Sequence, residues 1–196
     1  MKLILMRHTE VDFSPDRFLG RNDVSLSMKG VRHARKLAER LRGERIGAIY
    51  SSGLKRTIET AEIISKALDI DFKGKIADIN EVDFGVIEGL TRKEAEKRHP
   101  ELMQMRDNDR MNFRIPEGES CNDTGKRALA AVKKIIKDNR GRNVLVVTHC
   151  MVMRILLSKI TGKPLKDTYK KRFGYGCRLV FEAGPDRIAF KMFVDE

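Results

Sequence analysis

Two short apolar runs, each closing on a histidine, constrain this chain more than any other feature. Leu3 to Met6 leads into Arg7-His8, and Val144 to Val147 leads into Thr148-His149. Uninterrupted aliphatic runs of this length suit strands buried on both faces. A third run, Ile46 to Tyr50, ends in Ser51-Ser52-Gly53. Helical spacing fills the intervals. Ser27 can cap a helix carrying Val31, Ala34, Leu37, Ala38 and Leu41, and a second carries Leu54, Ile58, Ala61, Ile64 and Leu68. A third carries Leu129, Val132, Ile135 and Ile136, and Val152 to Ile160 follows the second histidine. Strands alternating with helices imply parallel strands joined by helical crossovers. Near the C-terminus, Leu179 to Phe181, a turn at Ala183-Gly184-Pro185-Asp186, and alternating Ile188, Phe190, Met192 and Val194 read as an antiparallel hairpin. The expected fold is an α/β three-layer α/β/α sandwich with a mostly parallel central sheet, an antiparallel edge strand and a small helical cap. The cap is expected at about 92–114, where the polar segment Arg92 to Asn112 suggests one or two helices outside the core. Lys75 to Thr91 reads as loop with a short strand. Residues 1–196 form one expected domain, a reasonable size for a single core.

Ligands of such sheets bind beyond the carboxyl ends of the strands. There the runs deliver Arg7 and His8, His149, and Arg56 one turn into the helix after the third run. Two guanidinium groups and two imidazoles sharing a pocket call for an anion, and arginine forks match phosphate oxygens in pairs. The net charge of +12 attracts phosphate esters and nucleic acids alike, but 6% aromatics and no Trp argue against a base-stacking surface. Adjacent arginines would repel a cation, and no metal-ligand spacing is present, so no metal or cofactor is expected. Cys121, Cys150 and Cys177 form no disulfide framework, which points to a reducing cytoplasm. No apolar run nears the ~20 residues that span a bilayer, and Met1 to Met6 is too short for a signal peptide.

The pattern Leu5-Met6-Arg7-His8-Thr9-Glu10 resembles the signature of the histidine phosphatase superfamily, the group containing cofactor-dependent phosphoglycerate mutases. The likeness continues through Gly20 to Leu26 with Gly30, Tyr50 to Thr57 with Thr60-Ala61, Asn80 to Gly85 with Glu88-Gly89, Pro116 to Ser120, and Val146 to His149. These blocks cover most of residues 2–155 in the family's order. The resemblance implies a phosphomonoesterase hydrolysing a small phosphorylated metabolite. His8 would be the nucleophile that forms phosphohistidine, Arg7 and Arg56 the grip on phosphate oxygens, and His149 a donor to the same oxygens. Glu81 would be general acid and then base, with Cys150, Asn22 and Gly20 adding phosphate contacts. The two arginines are expected to lower the Glu81 pKa, so that its acid role depends on substrate. The family's usual glycines after the histidines are Thr9 and Cys150 here, and its loop Asn is replaced by Ser14 at the nearest position. The Arg-His-Thr variant resembles a subgroup of α-ribazole phosphatases. The short span from Glu81 to Gly118 favours hydrolysis over mutase-type transfer. The alternatives are that transfer, or a non-catalytic phosphate-ligand binder. The outer hairpin strand offers an edge on which two copies could pair as a homodimer.

Other residues have plainer readings. Thr148 is placed to cap the next helix, and Glu119 and Ser120 to begin another. His33 and His99 lack partners. Cys121 to Arg127 spells Cys-x5-Arg, like the phosphate loop of cysteine phosphatases, but polar, turn-forming residues precede it where that loop needs a strand. The basic residues Lys163, Lys166, Lys170, Lys171 and Arg172 read as a solvated face, or as a guide for acidic substrates.

Overall fold

A computed structural model describes residues 1–14, 16–184 and 187–196. Among the described residues, six strands form one sheet: β1 (Lys2–Arg7), β2 (Ile46–Ser51), β3 (Phe72–Lys75), β4 (Asn143–Thr148), β5 (Arg178–Ala183) and β6 (Ile188–Val194), in the order β3-β2-β4-β1-β5-β6. The first four are parallel, and β5 runs antiparallel to both β1 and β6. The reversed strand is therefore β5, and β6 lies outermost. Pro185 and Asp186 of the expected hairpin turn lie outside the described residues.

Side-chain alternation assembles the layers. Leu3, Leu5, Val144 and Val146 face one side of the sheet, where they pack on Ala128, Val132, Ile135, Val152, Met153 and Leu156. These belong to α5 (Cys121–Asp138) and α6 (Cys150–Thr161). Ile4, Met6, Leu145 and Val147 face the other side and meet Leu37, Ala38, Leu41, Ala61 and Ile64. These belong to α1 (Met28–Leu41) and α2 (Lys55–Leu68). Burying an aliphatic side chain this fully contributes roughly 1.5–3 kcal/mol before conformational entropy is subtracted.

The helix starts follow from local chemistry. Ser27 Oγ accepts from Gly30 N–H at the start of α1, and a reciprocal Ser120–Asp123 capping box starts α5. Thr91 and Glu94 form a second box for α3 (Arg92–Arg98), which Pro100 separates from α4 (Pro100–Asn108). Ala95 of α3 and Met103 of α4 join Val82, Phe84, Ile87, Ile115, Cys121 and Ile155 in a third apolar cluster. That cluster ties the two short helices to the segment carrying Glu81.

Candidate active site

Pairing of β1 with β4 sets Arg7 beside Thr148, so the residues that follow, His8 and His149, leave the sheet side by side. His8 N–H donates to the Thr148 carbonyl at 3.0 Å, and the two imidazole centroids lie 5.4 Å apart. A cleft of about 320 Å³ opens over His8, lined by Arg7, His8, Gly20, Arg56, Glu81 and Cys150 on the sheet side, with His149 fully buried beside His8. Its outer wall includes Arg106 and Arg110 of the 92–114 segment.

His8 is held in one tautomer. Its Nδ1 lies 2.8 Å from the Thr9 carbonyl oxygen, which can only accept, so Nδ1 carries the proton. Nε2 therefore keeps a free lone pair. Burial, reinforced by the positive charges of Arg7 and Arg56, holds His8 well below the ordinary histidine pKa. The ring is neutral and nucleophilic at neutral pH.

The two arginines are clamped from behind. Arg56 is fully buried and donates to the carbonyls of Asn22 and Gly20, each at 2.7 Å. Burial lowers its pKa to about 10, which leaves it charged. Gly20 holds this carbonyl with φ of +51°, and a Cβ there would lie 1.9 Å from Glu88 Oε1. The Asn22 amide is directed elsewhere, to Leu19 O and Glu88 Oε2. Asn22 thus serves the site through its backbone carbonyl. Arg7 donates to the Phe173 carbonyl at 2.6 Å and stacks 4.2 Å above the Tyr175 ring.

Glu81 sits against the first turn of α6, where its carboxylate accepts from Val82, Met151 and Val152 N–H groups. Arg56 and Arg7 lower its pKa as expected, but they do not set the net shift. Burial is the largest influence and raises the pKa, outweighing the hydrogen bonds and the charges of Arg56 and Arg7. Its loop is fixed by Arg127, which donates to the carbonyls of Asp78, Asn80 and Glu81.

Thr9 turns away from the cleft toward Thr60 of α2, 3.3 Å between hydroxyls, while Cys150 lines the cleft. Ser14 bonds Asp16 on the surface. Thr148 does not cap α6, because its hydroxyl donates to Ile79 O at 2.8 Å and His149 holds the N-cap position. Ser120 is a cap, whereas Glu119 pairs with Arg127 and Arg21. Cys121 begins α5 with no strand before it, burial pushes its thiol up to about 11, and Arg127 is committed to Glu119 and the Glu81 loop. Among the described residues, no cluster of three His, Cys, Asp or Glu side chains could hold a metal ion. Sequence reasoning missed Tyr175, the Phe173 carbonyl, and the Ser52–Thr57 hydroxyl pair behind His149. The aromatic and the carbonyl come from the irregular stretch before β5, which has no motif to mark it.

The family model for the histidine phosphatase superfamily (branch 1) matches residues 3–196. The chain belongs to this superfamily. It is 37% identical over 167 residues to the 6-phosphofructo-2-kinase/fructose-2,6-bisphosphatase of Gallus gallus, with 84% of this chain covered but 34% of that protein. The chain thus spans about a third of the length of that relative. It is also 33% identical over 163 residues to a metal-independent phosphoserine phosphatase of Arabidopsis thaliana, covering 82% of this chain and 68% of that one. Among solved structures, Bacillus stearothermophilus YhfR superposes with a TM-score of 0.85 at 28% identity, covering 96% and 94% of the two chains. The α-ribazole phosphatase of Shigella flexneri shares the fold, with a TM-score of 0.86 at 21% identity and coverage of 98% and 96%.

Proposed function

We propose that this chain is a phosphatase that hydrolyses small phosphorylated metabolites through a phosphohistidine on His8. The observation that carries the reading is the bare Nε2 of a neutral, tautomer-locked imidazole in a cleft shared with two clamped guanidinium groups. Phosphoryl transfer needs in-line positioning and fixed positive charge above all. Arg7 and Arg56 hold the non-bridging oxygens. His8 Nε2 attacks phosphorus, an N–P bond forms, the P–O ester bond breaks, and the leaving oxygen takes the Glu81 proton. Glu81 then deprotonates water, which attacks phosphorus and returns His8 to its free state. The raised pKa of Glu81 suits an acid that must be protonated near neutrality.

The cap wall bears on the class of metabolite. The Arg106 side chain is 7% exposed and makes no hydrogen bond among the described residues. Its nearest carboxylate oxygen is on Asp107 at 3.6 Å, and Asp107 also pairs with Arg92 and Arg110. Arg92 also pairs with Glu96, so two carboxylates face three arginines and one surplus positive charge is left in the cleft wall, which favours metabolites with a second anionic group. The relatives named as fructose-2,6-bisphosphatase and phosphoserine phosphatase are consistent with hydrolysis of such compounds. No helix among the described residues is long and apolar enough to cross a membrane. The three free cysteines favour a reducing, cytoplasmic setting.

Hydrolysis of para-nitrophenyl phosphate in EDTA tests the proposal. Activity that survives EDTA and Cys121→Ser but is lost in His8→Ala supports it. Activity that persists in His8→Ala, or is absent from wild type between pH 5 and 8, a range bracketing histidine's ordinary pKa of ~6.5, contradicts it.

A further inference from the structure

His149 is fully buried, and its two ring nitrogens have unequal surroundings. Nε2 lies 2.7 Å from Ser52 Oγ, while Nδ1 has no partner among the described residues. Ser52 Oγ lies 2.6 Å from Thr57 Oγ1, and Thr57 Oγ1 lies 2.7 Å from the Leu54 carbonyl oxygen. Two oxygens 2.7 Å apart repel unless a proton lies between them, and the carbonyl has none to give. Thr57 must therefore donate to Leu54 O. Ser52, which also accepts from Leu54 N–H, then donates to Thr57, and His149 donates from Nε2 to Ser52. The chain of hydroxyls runs one way and leaves Nδ1 as a bare lone pair. Burial first, and then the positive charges of Arg56 from α2, Arg7 from the end of β1 and Arg21 from the loop before α1, disfavour a second proton on the ring. His8 lies beside it, with ring centroids 5.4 Å apart. Glu81 sits against the next turn of α6.

We propose that Ser52 and Thr57 are positioning residues that present His149 to the substrate as a proton acceptor, so that the cleft takes up the monoanionic form of a phosphate ester. This rests on the phosphatase reading above and gives the expected donor role of His149 a source for its proton. On binding, the O–H bond of the monoanion's phosphate hydroxyl breaks and an Nδ1–H bond forms. The ester becomes a dianion, His149 becomes an imidazolium, and the total charge of the complex is unchanged. The imidazolium then donates from Nδ1 to the oxygen that supplied the proton while Nε2 stays bonded to Ser52. A site whose empty cavity disfavours cationic histidine thereby gains a third cationic donor only when phosphate is present.

The experiment is nitrogen NMR of protein labelled with ¹⁵N-histidine, with and without inorganic phosphate, combined with pH profiles of kcat/KM. The free protein is expected to show His149 protonated on Nε2 alone, and the phosphate complex to show both nitrogens protonated. Wild-type kcat/KM should fall about tenfold per pH unit above the second ionisation of the ester, near pH ~6. That limb should move when an aryl phosphate is exchanged for an alkyl phosphate of higher second pKa. Thr57→Val leaves Ser52 no acceptor but His149 Nε2, which forces the proton onto Nδ1. This variant should show the Nδ1–H tautomer when free and lose most of the alkaline decline, because it can accept the dianion. If phosphate shifts the His8 signals while His149 stays singly protonated, or if the limb is the same for both esters, the proposal is overturned and the phosphatase reading survives. If phosphate moves neither histidine, the phosphate-site reading falls and takes this proposal with it.

Discussion

Thr9 follows the proposed nucleophile where the family usually has glycine, and the structure explains why a side chain is tolerated there. Its hydroxyl points to Thr60 on α2, away from the cleft, and its backbone N–H also reaches Thr60 Oγ1. Thr9→Gly should leave kcat for para-nitrophenyl phosphate within about threefold while costing about 1–2 kcal/mol of stability, from the lost buried bond and added chain entropy. Denaturant titration beside a rate assay checks this. A large loss of kcat at full stability would contradict the placement. Glu81 leads to a different split. As general acid it should matter most when the leaving group is poor. Glu81→Gln should therefore slow an alkyl phosphate by roughly 10²–10⁴ and a nitrophenyl ester much less. Equal losses for both esters would remove the acid role. Arg7, His8, Arg56 and His149 could be read from the sequence because each sits at the end of an apolar run or one helical turn beyond it, whereas Glu81, in a loop, was marked only by the family resemblance. The direction of the Glu81 shift was not legible, because only the fold reveals that burial outweighs the nearby arginines.

At the scale of elements, the core strands and helices could be read because their apolar spacing matches the layer each side chain enters. Strand β3 escaped because Phe72-Lys73-Gly74-Lys75 pairs at the sheet edge with its alternate residues exposed, which leaves no apolar run to detect. The cap helices were legible as polar helices, but which of their arginines faces the cleft was not. Arg106 and Arg110 line it, whereas Arg114 turns outward to Asp123. If the cap wall binds a second anionic group, Arg106→Ala should raise KM for a bisphosphorylated or carboxylate-bearing substrate tenfold or more, from loss of a charged hydrogen bond of roughly 1.5–3 kcal/mol. KM for a neutral-tailed monoester should change little, and Arg114→Ala should change neither. Equal effects of Arg106→Ala on both substrates would place the second anion elsewhere. The loop before α1 is a further case in which motif and geometry agree. Gly20 adopts a left-handed conformation that brings its carbonyl onto Arg56.

Across the whole molecule, charge and protonation leave two signatures. A net charge of +12 should draw anionic substrates in, so kcat/KM should fall as ionic strength rises past the range where the screening length is about 10 Å, with kcat little changed. The two site histidines also make stability depend on pH. Burial depresses both folded pKa values, so between pH ~6.5 and those values the unfolded chain binds protons that the native state refuses. Their contribution is fully present above pH ~6.5 and is lost as pH falls through the folded pKa values. Melting experiments should show stability declining from pH 7 to 5, and more gently in a His8→Asn/His149→Asn double variant. An unchanged slope would mean the imidazoles are not buried as described. The central claim, that His8 carries the phosphoryl group on Nε2, is tested most directly by quenching turnover in alkali. The phosphorylated peptide is then mapped, and its phosphorus NMR read for the nitrogen that bears it. The account predicts phosphate on the peptide containing His8, at Nε2, because Nδ1 is bonded to the Thr9 carbonyl. Phosphate on Nδ1, on Cys121, or on no residue during steady turnover would contradict it.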